Sequence, residues 1–239
     1  MNCKMNIDEV RQRIRHALLT AGRQPDDITL IGVTKNVDLD VIQKAVAHGI
    51  DHLGENRVQE LLSKYDHIKN VNWHMIGRLQ RNKVKYIIDK AAMIHSLDSL
   101  SLAKEINRQA EKAGRVVPVL VQVNPANEKT KSGLPYEEVI PFIETVYPLK
   151  YIRVMGLMLI APFADNPETV RPYFVMMKQL YDCLKQYDYP HTKIQYLSMG
   201  MTNDFEIAIE EGSNMVRIGT ALFGNRKKGE EINGRQVHE

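Results

Sequence analysis

Cysteine, charge of one sign and long apolar runs are all scarce in this chain, and each shortage argues against a class of function. Only two cysteines occur in 239 residues, Cys3 and Cys183, near opposite ends. They form no CxxC pair and no disulfide framework is expected, which suits a reducing, cytoplasmic setting. The 32 basic and 29 acidic residues leave a net charge of only +3. So small an excess can help draw in an anionic small molecule, but it does not mark a nucleic-acid protein. Basic residues gather at 78–85 without interleaved aromatics, so that stretch reads as a solvated or phosphate-facing helix start. The longest apolar run, 154–163, falls short of the roughly 20 residues that span a bilayer. The opening MNCKMNIDEVRQRIRHALL turns charged and amphipathic at once, unlike a signal peptide. A soluble intracellular protein is expected. Metal-type patterns are also missing: there is no HExxH, and Gly49 separates His48 from His52.

What is present is a regular alternation of strand-like and helix-like runs. An amphipathic helix (7–19) precedes a β-branched strand at 28–33. Asp38 is placed to cap a helix that buries Leu39, Ile42, Ala45 and Val46 and closes at Gly49. Strands are expected at 52–54, 72–76, 92–95, 116–123, 151–160, 194–197 and 215–218. Helices are expected at 55–65, from Ser99 to Gly114, through Val146, from Asn166-Pro167 and at 203–209. The tail, 225–239, is polar and aperiodic and is expected to be frayed. Eight strand–helix units in one chain imply parallel strands with helical crossovers. No early GxGxxG turn or composition shift divides the sequence, so a single-domain α/β (β/α)8 TIM barrel fits better than an open doubly wound sheet.

Barrel order gives certain positions chemical meaning. Lys35 follows the first strand, on the carboxyl side where α/β proteins hold their chemistry. An amine there can form a Schiff base with a carbonyl compound. The seventh strand ends in Ser198-Met199-Gly200 and the eighth in Gly219-Thr220, two turns of the kind that bind phosphate through backbone N–H groups. Either turn alone merely starts many helices, but after strands 7 and 8 barrels frequently hold a phosphate. Closure makes strand 8 the neighbour of strand 1, bringing that site beside Lys35. Period-2 alternation points Arg217 away from Val216 and Ile218, towards a phosphate, a ring nitrogen or a buried carboxylate.

With these parts in view, the sequence resembles the pyridoxal phosphate homeostasis protein family, the YggS-like proteins, from about residue 7 to 224. The matching blocks are GVTK (32–35), GENRVQE (54–60), HMIGRLQRNK (74–83), EKTKSG (128–133), GLMLIAP (156–162), SMGMTNDFEIAI (198–209) and VRIGTALFG (216–224). The resemblance implies a fold-type III barrel like the N-terminal domain of alanine racemase, with pyridoxal 5′-phosphate joined to Lys35. It implies that Ser198, Gly200, Gly219 and Thr220 hold the phosphate. Arg217 would lie against the pyridine nitrogen, with Asn56 and His74 lining the pocket. Met75, where an aromatic is common, and Pro125-Ala126, in place of a more polar pair, depart from the family pattern outside these positions.

A monomeric cytoplasmic carrier and regulator of the cofactor is therefore expected, delivering it to apo-enzymes, with no nucleic-acid or membrane partner. The alternative is a small fold-type III enzyme such as an amino-acid racemase. A racemase of this type needs an opposing acid–base group from a C-terminal β-domain and a partner subunit. The chain ends soon after strand 8, which weighs against one. Arginine at the pyridine nitrogen also disfavours the protonated ring and so weakens carbanion stabilisation. The loop bearing Glu128, Lys129 and Lys131 lies on the ligand face and is a candidate lid or second docking point.

Overall fold

A computed structural model describes residues 3–24, 28–128 and 131–224. Eight parallel strands close into a barrel in sequence order. They are β1 (Thr29–Val33), β2 (His52–Glu55), β3 (Asn72–Met75), β4 (Met93–Leu97), β5 (Val117–Val123), β6 (Ile152–Leu159), β7 (Thr192–Ser198) and β8 (Met215–Ile218). The helices are α1 (Cys3–Thr20), α2 (Leu39–Ala47), α3 (Val58–Tyr65), α4 (Val84–Ile87), α5 (Leu100–Lys112), α6 (Val139–Val146), α7 (Arg171–Leu184), α8 (Phe205–Glu210) and α9 (Thr220–Phe223). The expected (β/α)8 architecture is therefore present. No helix among the described residues is long and apolar enough to cross a membrane. The tail from 225 and Lys129 lie outside the described residues.

Each strand divides its side chains between two cores. Outward residues such as Leu53, Trp73, Ile94, Val121, Leu197 and Val216 pack with the helix layer. Inward residues Ile31, Met93, Leu120, Met158 and Met215 form a smaller axial cluster. Burial on both faces explains why these strands are nearly charge-free. Helix α1 adds a stripe of Ile7, Val10, Ile14, Ala17 and Leu18, spaced for one helical face.

Local signals were mostly right about elements and less so about their ends. Ser99 caps α5, its hydroxyl accepting from Leu102 N–H. Asn166 accepts from Glu168 N–H, but a 3₁₀ turn at Pro167–Val170 separates it from α7. Asp38 occupies the cap position of α2 without a side-chain hydrogen bond. Glu55 does not begin a helix: it ends β2, fully buried, and α3 starts at Val58. The basic stretch is mainly a 3₁₀ turn, Arg81–Lys83, leading into one turn of α-helix. Strand β4 runs two residues past the expected His95, β7 covers 192–198 rather than 194–197, and α8 starts at Phe205 rather than 203.

In β6, glycine permits a shift of register. The β6–β7 pairing slips between Val154 and Gly156, and Gly156 has φ +149°. A Cβ there would overlap the backbone carbonyl of Tyr196. Gly156→Ala is expected to destabilise the protein by about 3 kcal/mol or more, since backbone must move as well as strain. Gly114→Ala, at φ +63° with open space around it, should cost only roughly 1 kcal/mol. Urea denaturation of both variants checks the contrast; equal losses would contradict it.

Candidate functional site

The turn after β1 is anchored by a buried charged network. Thr34 Oγ1 donates to Glu55 Oε1 at 2.6 Å, and Lys64 Nζ donates to the same oxygen and to the Thr34 carbonyl, both at 2.7 Å. Glu60 accepts from Asn36 N–H at 2.9 Å and lies 3.6 Å from Lys64. Asn36 has φ +54°, a left-handed conformation that asparagine tolerates better than most residues. Thr34 and Asn36 are thus tied to β2 and α3, while Lys35 between them is half-buried. Thr34 turns outward to Glu55, and Lys35 follows it in the turn beyond β1. Among the described residues, no hydrogen bond or ion pair reaches its ammonium. Burial raises the Glu55 carboxyl above its ordinary value, against the pull of its bonds to Lys64 and Thr34. Its Oε2 has no hydrogen-bond partner among the described residues.

At the carboxyl end of the barrel a cavity of about 470 Å³ opens beside this turn. Val33, Ile76 and Ile160 supply apolar wall, while Asn56, Lys131, Thr202, Asp204, Arg217 and Thr220 supply polar groups, with Gly219 between the last two. Size and lining suit a small ligand with an apolar body and an anionic end. The register brings the two sides together: β1 pairs with β8, with Ile31 opposite Arg217 and Gly32 opposite Ile218. Arg217 points inward, as alternation requires. Its Nη1 donates to Ser198 Oγ and its Nη2 to the Leu159 carbonyl, each at 2.6 Å. Burial lowers this guanidinium to about 10, opposed by the charge of Asp204. Burial raises Asp204, which accepts from Met201 N–H.

The expected site residues separate into three positions. Asn56, Arg217, Gly219 and Thr220 line the cavity. Lys35 is not among the lining residues; it follows, by two positions, Val33, which is. Ser198, Gly200 and His74 lie behind the wall. Ser198 is fully buried beneath Arg217, and the cavity-facing hydroxyl of that turn belongs to Thr202. Gly200, at φ +97°, serves packing, because a Cβ there would sit 2.7 Å from Ala208 Cβ and 2.9 Å from Phe205 Cα. His74 is in the barrel interior, hydrogen-bonded on both sides by His52 and His95. Lys131 reaches the cavity edge, held by Glu128 at 2.7 Å and the Ala161 carbonyl at 3.1 Å.

Sequence reading missed Thr202, Asp204, the Glu55–Lys64 pair and the partners of His74. A signal existed for the histidines: His52, His74 and His95 occupy inward positions of three consecutive strands. Nothing local announced Glu55, whose partner arrives nine residues later from α3.

A (β/α)8 barrel with a lysine after β1 and an inward arginine on β8 defines the class. The model of the family described as alanine racemase, N-terminal domain, matches residues 5–227. The pyridoxal phosphate homeostasis protein of Aquifex aeolicus is 46% identical over 229 residues, covering 95% of this chain and all of that one. Its counterpart in Escherichia coli is 38% identical over 228 residues, covering 92% and 95%. The chain belongs to the pyridoxal phosphate homeostasis protein family. Among solved structures, PipY of Synechococcus elongatus with pyridoxal phosphate bound aligns at TM-score 0.77 and 32% identity, covering 88% of this chain and all of PipY. The alanine racemase of Clostridium difficile aligns at TM-score 0.71 with 20% identity, covering 94% of this chain and 56% of the racemase, a likeness of fold.

The buried network gives a direct test. Lys64→Met leaves Glu55 as an unpaired buried charge and should lower stability by about 3–5 kcal/mol at pH 7. Because the folded-state carboxyl is raised, its ionised form is the unfavourable one. The deficit should therefore shrink as pH falls through the Glu55 titration and the carboxyl becomes neutral. Glu55→Gln combined with Lys64→Met should recover most of the loss. Denaturant titrations at pH 7 and pH 5 decide it; a deficit independent of pH would contradict the assignment.

Proposed function

We propose that this protein binds pyridoxal 5′-phosphate reversibly and serves its homeostasis, limiting the free aldehyde and supplying it to dependent apo-enzymes. The observation that carries this reading is the juxtaposition, by barrel closure, of the Lys35 turn with a cavity walled by Arg217, Gly219 and Thr220. The donor set suits the cofactor. Threonine hydroxyls and the Gly219 turn match a phosphate, apolar Val33, Ile76 and Ile160 match a flat ring, and Lys35, two residues beyond Val33, supplies an amine for an aldehyde. The cofactor supplies the aldehyde, and the chain supplies the amine that captures it. Arg217, fixed by two acceptors, would face the pyridine nitrogen, and Asn56 the ring substituents. Thr202 takes the hydroxyl role expected of Ser198, which acts with His74 from beneath the cavity.

The bound cofactor in PipY, a protein 32% identical to this one, supports the reading. A cytoplasmic setting is supported by two cysteines that remain free thiols. Delivery by a monomer is the simplest arrangement for a cavity reached from one face. Loss of the covalent anchor in Lys35→Ala should abolish the visible absorbance of bound cofactor. It should also weaken binding by roughly 100-fold or more, about 2.8 kcal/mol. Equilibrium dialysis with parallel spectra measures both. Undiminished visible absorbance in the variant would overturn the role of Lys35, and sustained α-proton exchange on amino acids by the intact protein would favour a racemase instead.

A further inference from the structure

The axis of the barrel holds a column of three imidazoles. His52 Nδ1 lies 2.8 Å from His74 Nε2, and His74 Nδ1 lies 2.9 Å from His95 Nε2. His95 Nδ1 lies 3.4 Å from Ser198 Oγ, which accepts from Arg217 Nη1. The contacts run from β2 through β3 and β4 and across the barrel to β7 and β8. His74 and His95 are buried, whereas His52 is half-buried and lines a cleft at the amino-terminal end of the barrel.

Donor and acceptor chemistry gives this column one direction. A guanidinium only donates, so Ser198 Oγ is an acceptor towards Arg217. The remaining Ser198 hydroxyl hydrogen has one acceptor among the described residues, His95 Nδ1. His95 must then carry its proton on Nε2 and donate to His74 Nδ1. His74 in turn carries Nε2–H and donates to His52 Nδ1, leaving His52 as an Nε2–H imidazole at the cleft. The opposite direction would make Ser198 accept twice and bury its hydroxyl hydrogen unpaired. Neutral rings are required, and burial first, then the neighbouring imidazole, lowers His74 to about 3. Burial, His74, Arg217 and His52 together hold His95 well below its ordinary value.

We propose that His52, His74 and His95 are positioning residues for Arg217, and that protonation of His52 reverses the whole column. A protonated His52 has hydrogen on Nδ1 as well as Nε2, so it can keep its bond to His74 only by donating. His74 and His95 must then exchange Nε2–H for Nδ1–H, and Ser198 accepts from both His95 and Arg217, its own hydroxyl released. The column gains one proton, taken from water, and loses one hydrogen bond, that from the Ser198 hydroxyl to His95, so the reversed state holds only while His52 stays charged. The groups facing His52 are Asp51 beside it, Arg11 and Arg15 of α1 across the cleft, and His74. Strand β1 alongside carries no charge. Burial lowers His52 while Asp51 raises it.

The column stands whether or not pyridoxal phosphate is the ligand; only its bearing on that cofactor rests on the function proposed above. The test therefore uses ligand-free protein labelled with ¹⁵N in histidine and arginine, followed by NMR from about pH 8 to pH 5, around the ordinary histidine range. At high pH all three imidazoles should be Nε2–H tautomers. As His52 titrates, His74 and His95 should switch to Nδ1–H at the same midpoint without becoming charged, and the Arg217 side-chain signals should shift with them. In His52→Gln, whose amide oxygen can accept from His74 without titrating, that coordinated switch should be lost. Mixed tautomers at high pH in the wild type, or tautomers indifferent to His52, would overturn the proposal even if the variant failed to fold. So would a switch that persists in His52→Gln.

Discussion

Everything functional in this molecule depends on the ladder between β1 and β8. Lys35 and Arg217 are far apart along the chain, and no local preference joins them. Their strands become neighbours because eight parallel strands, each joined to the next by a crossover, close on themselves. The register of that last pairing, Ile31 opposite Arg217, sets the Lys35 turn beyond the arginine at the same end of the barrel. Since side chains alternate faces, a slip of one residue would send Arg217 into the helix layer and destroy the cavity wall.

The same closure creates an unusual interior. Small barrels usually fill their axis with branched apolar side chains, and here Ile31, Met93, Leu120, Met158 and Met215 do so in part. The rest of the path is polar: two buried histidines, a buried serine and arginine, and the half-buried His52 at the cleft. Buried polar groups are tolerable only when their hydrogen bonds are made, and the column from His52 to Arg217 makes them in one continuous run. A second buried set, Thr34, Glu55 and Lys64, joins the end of β2 to α3 and fixes the turn before α2. Arg217 is held from the barrel axis and the Lys35 turn from the helix layer, so two independent networks position the opposite sides of one cavity.

How much of this was legible in the sequence follows from the range of each signal. The alternation of charge-poor strands and amphipathic helices revealed the barrel, and barrel order then brought Lys35 beside the turns at Gly200 and Gly219. Alternation alone oriented Arg217 correctly. Element ends were less legible, because Glu55 looks like a helix starter and becomes a buried strand end once Lys64 covers it. Ser198 was legible as a turn residue but not as a support, since its depth depends on Arg217 reaching over it from another strand. His74 was noticed as a single residue, yet its role comes from His52 and His95 on the adjoining strands. Contacts between strands decide such roles, and no window of sequence contains them.

Lys35 is proposed to capture the aldehyde of the ligand. The most direct measurement is to mix the intact protein with pyridoxal phosphate, reduce with borohydride, and map the modified peptide by mass spectrometry. Reduction converts a carbon–nitrogen double bond into a stable amine and so marks the lysine that made it. One equivalent of reduced adduct on the peptide bearing Lys35 is the predicted result. An adduct chiefly on Lys131 or another lysine, or no adduct at all, would contradict the account.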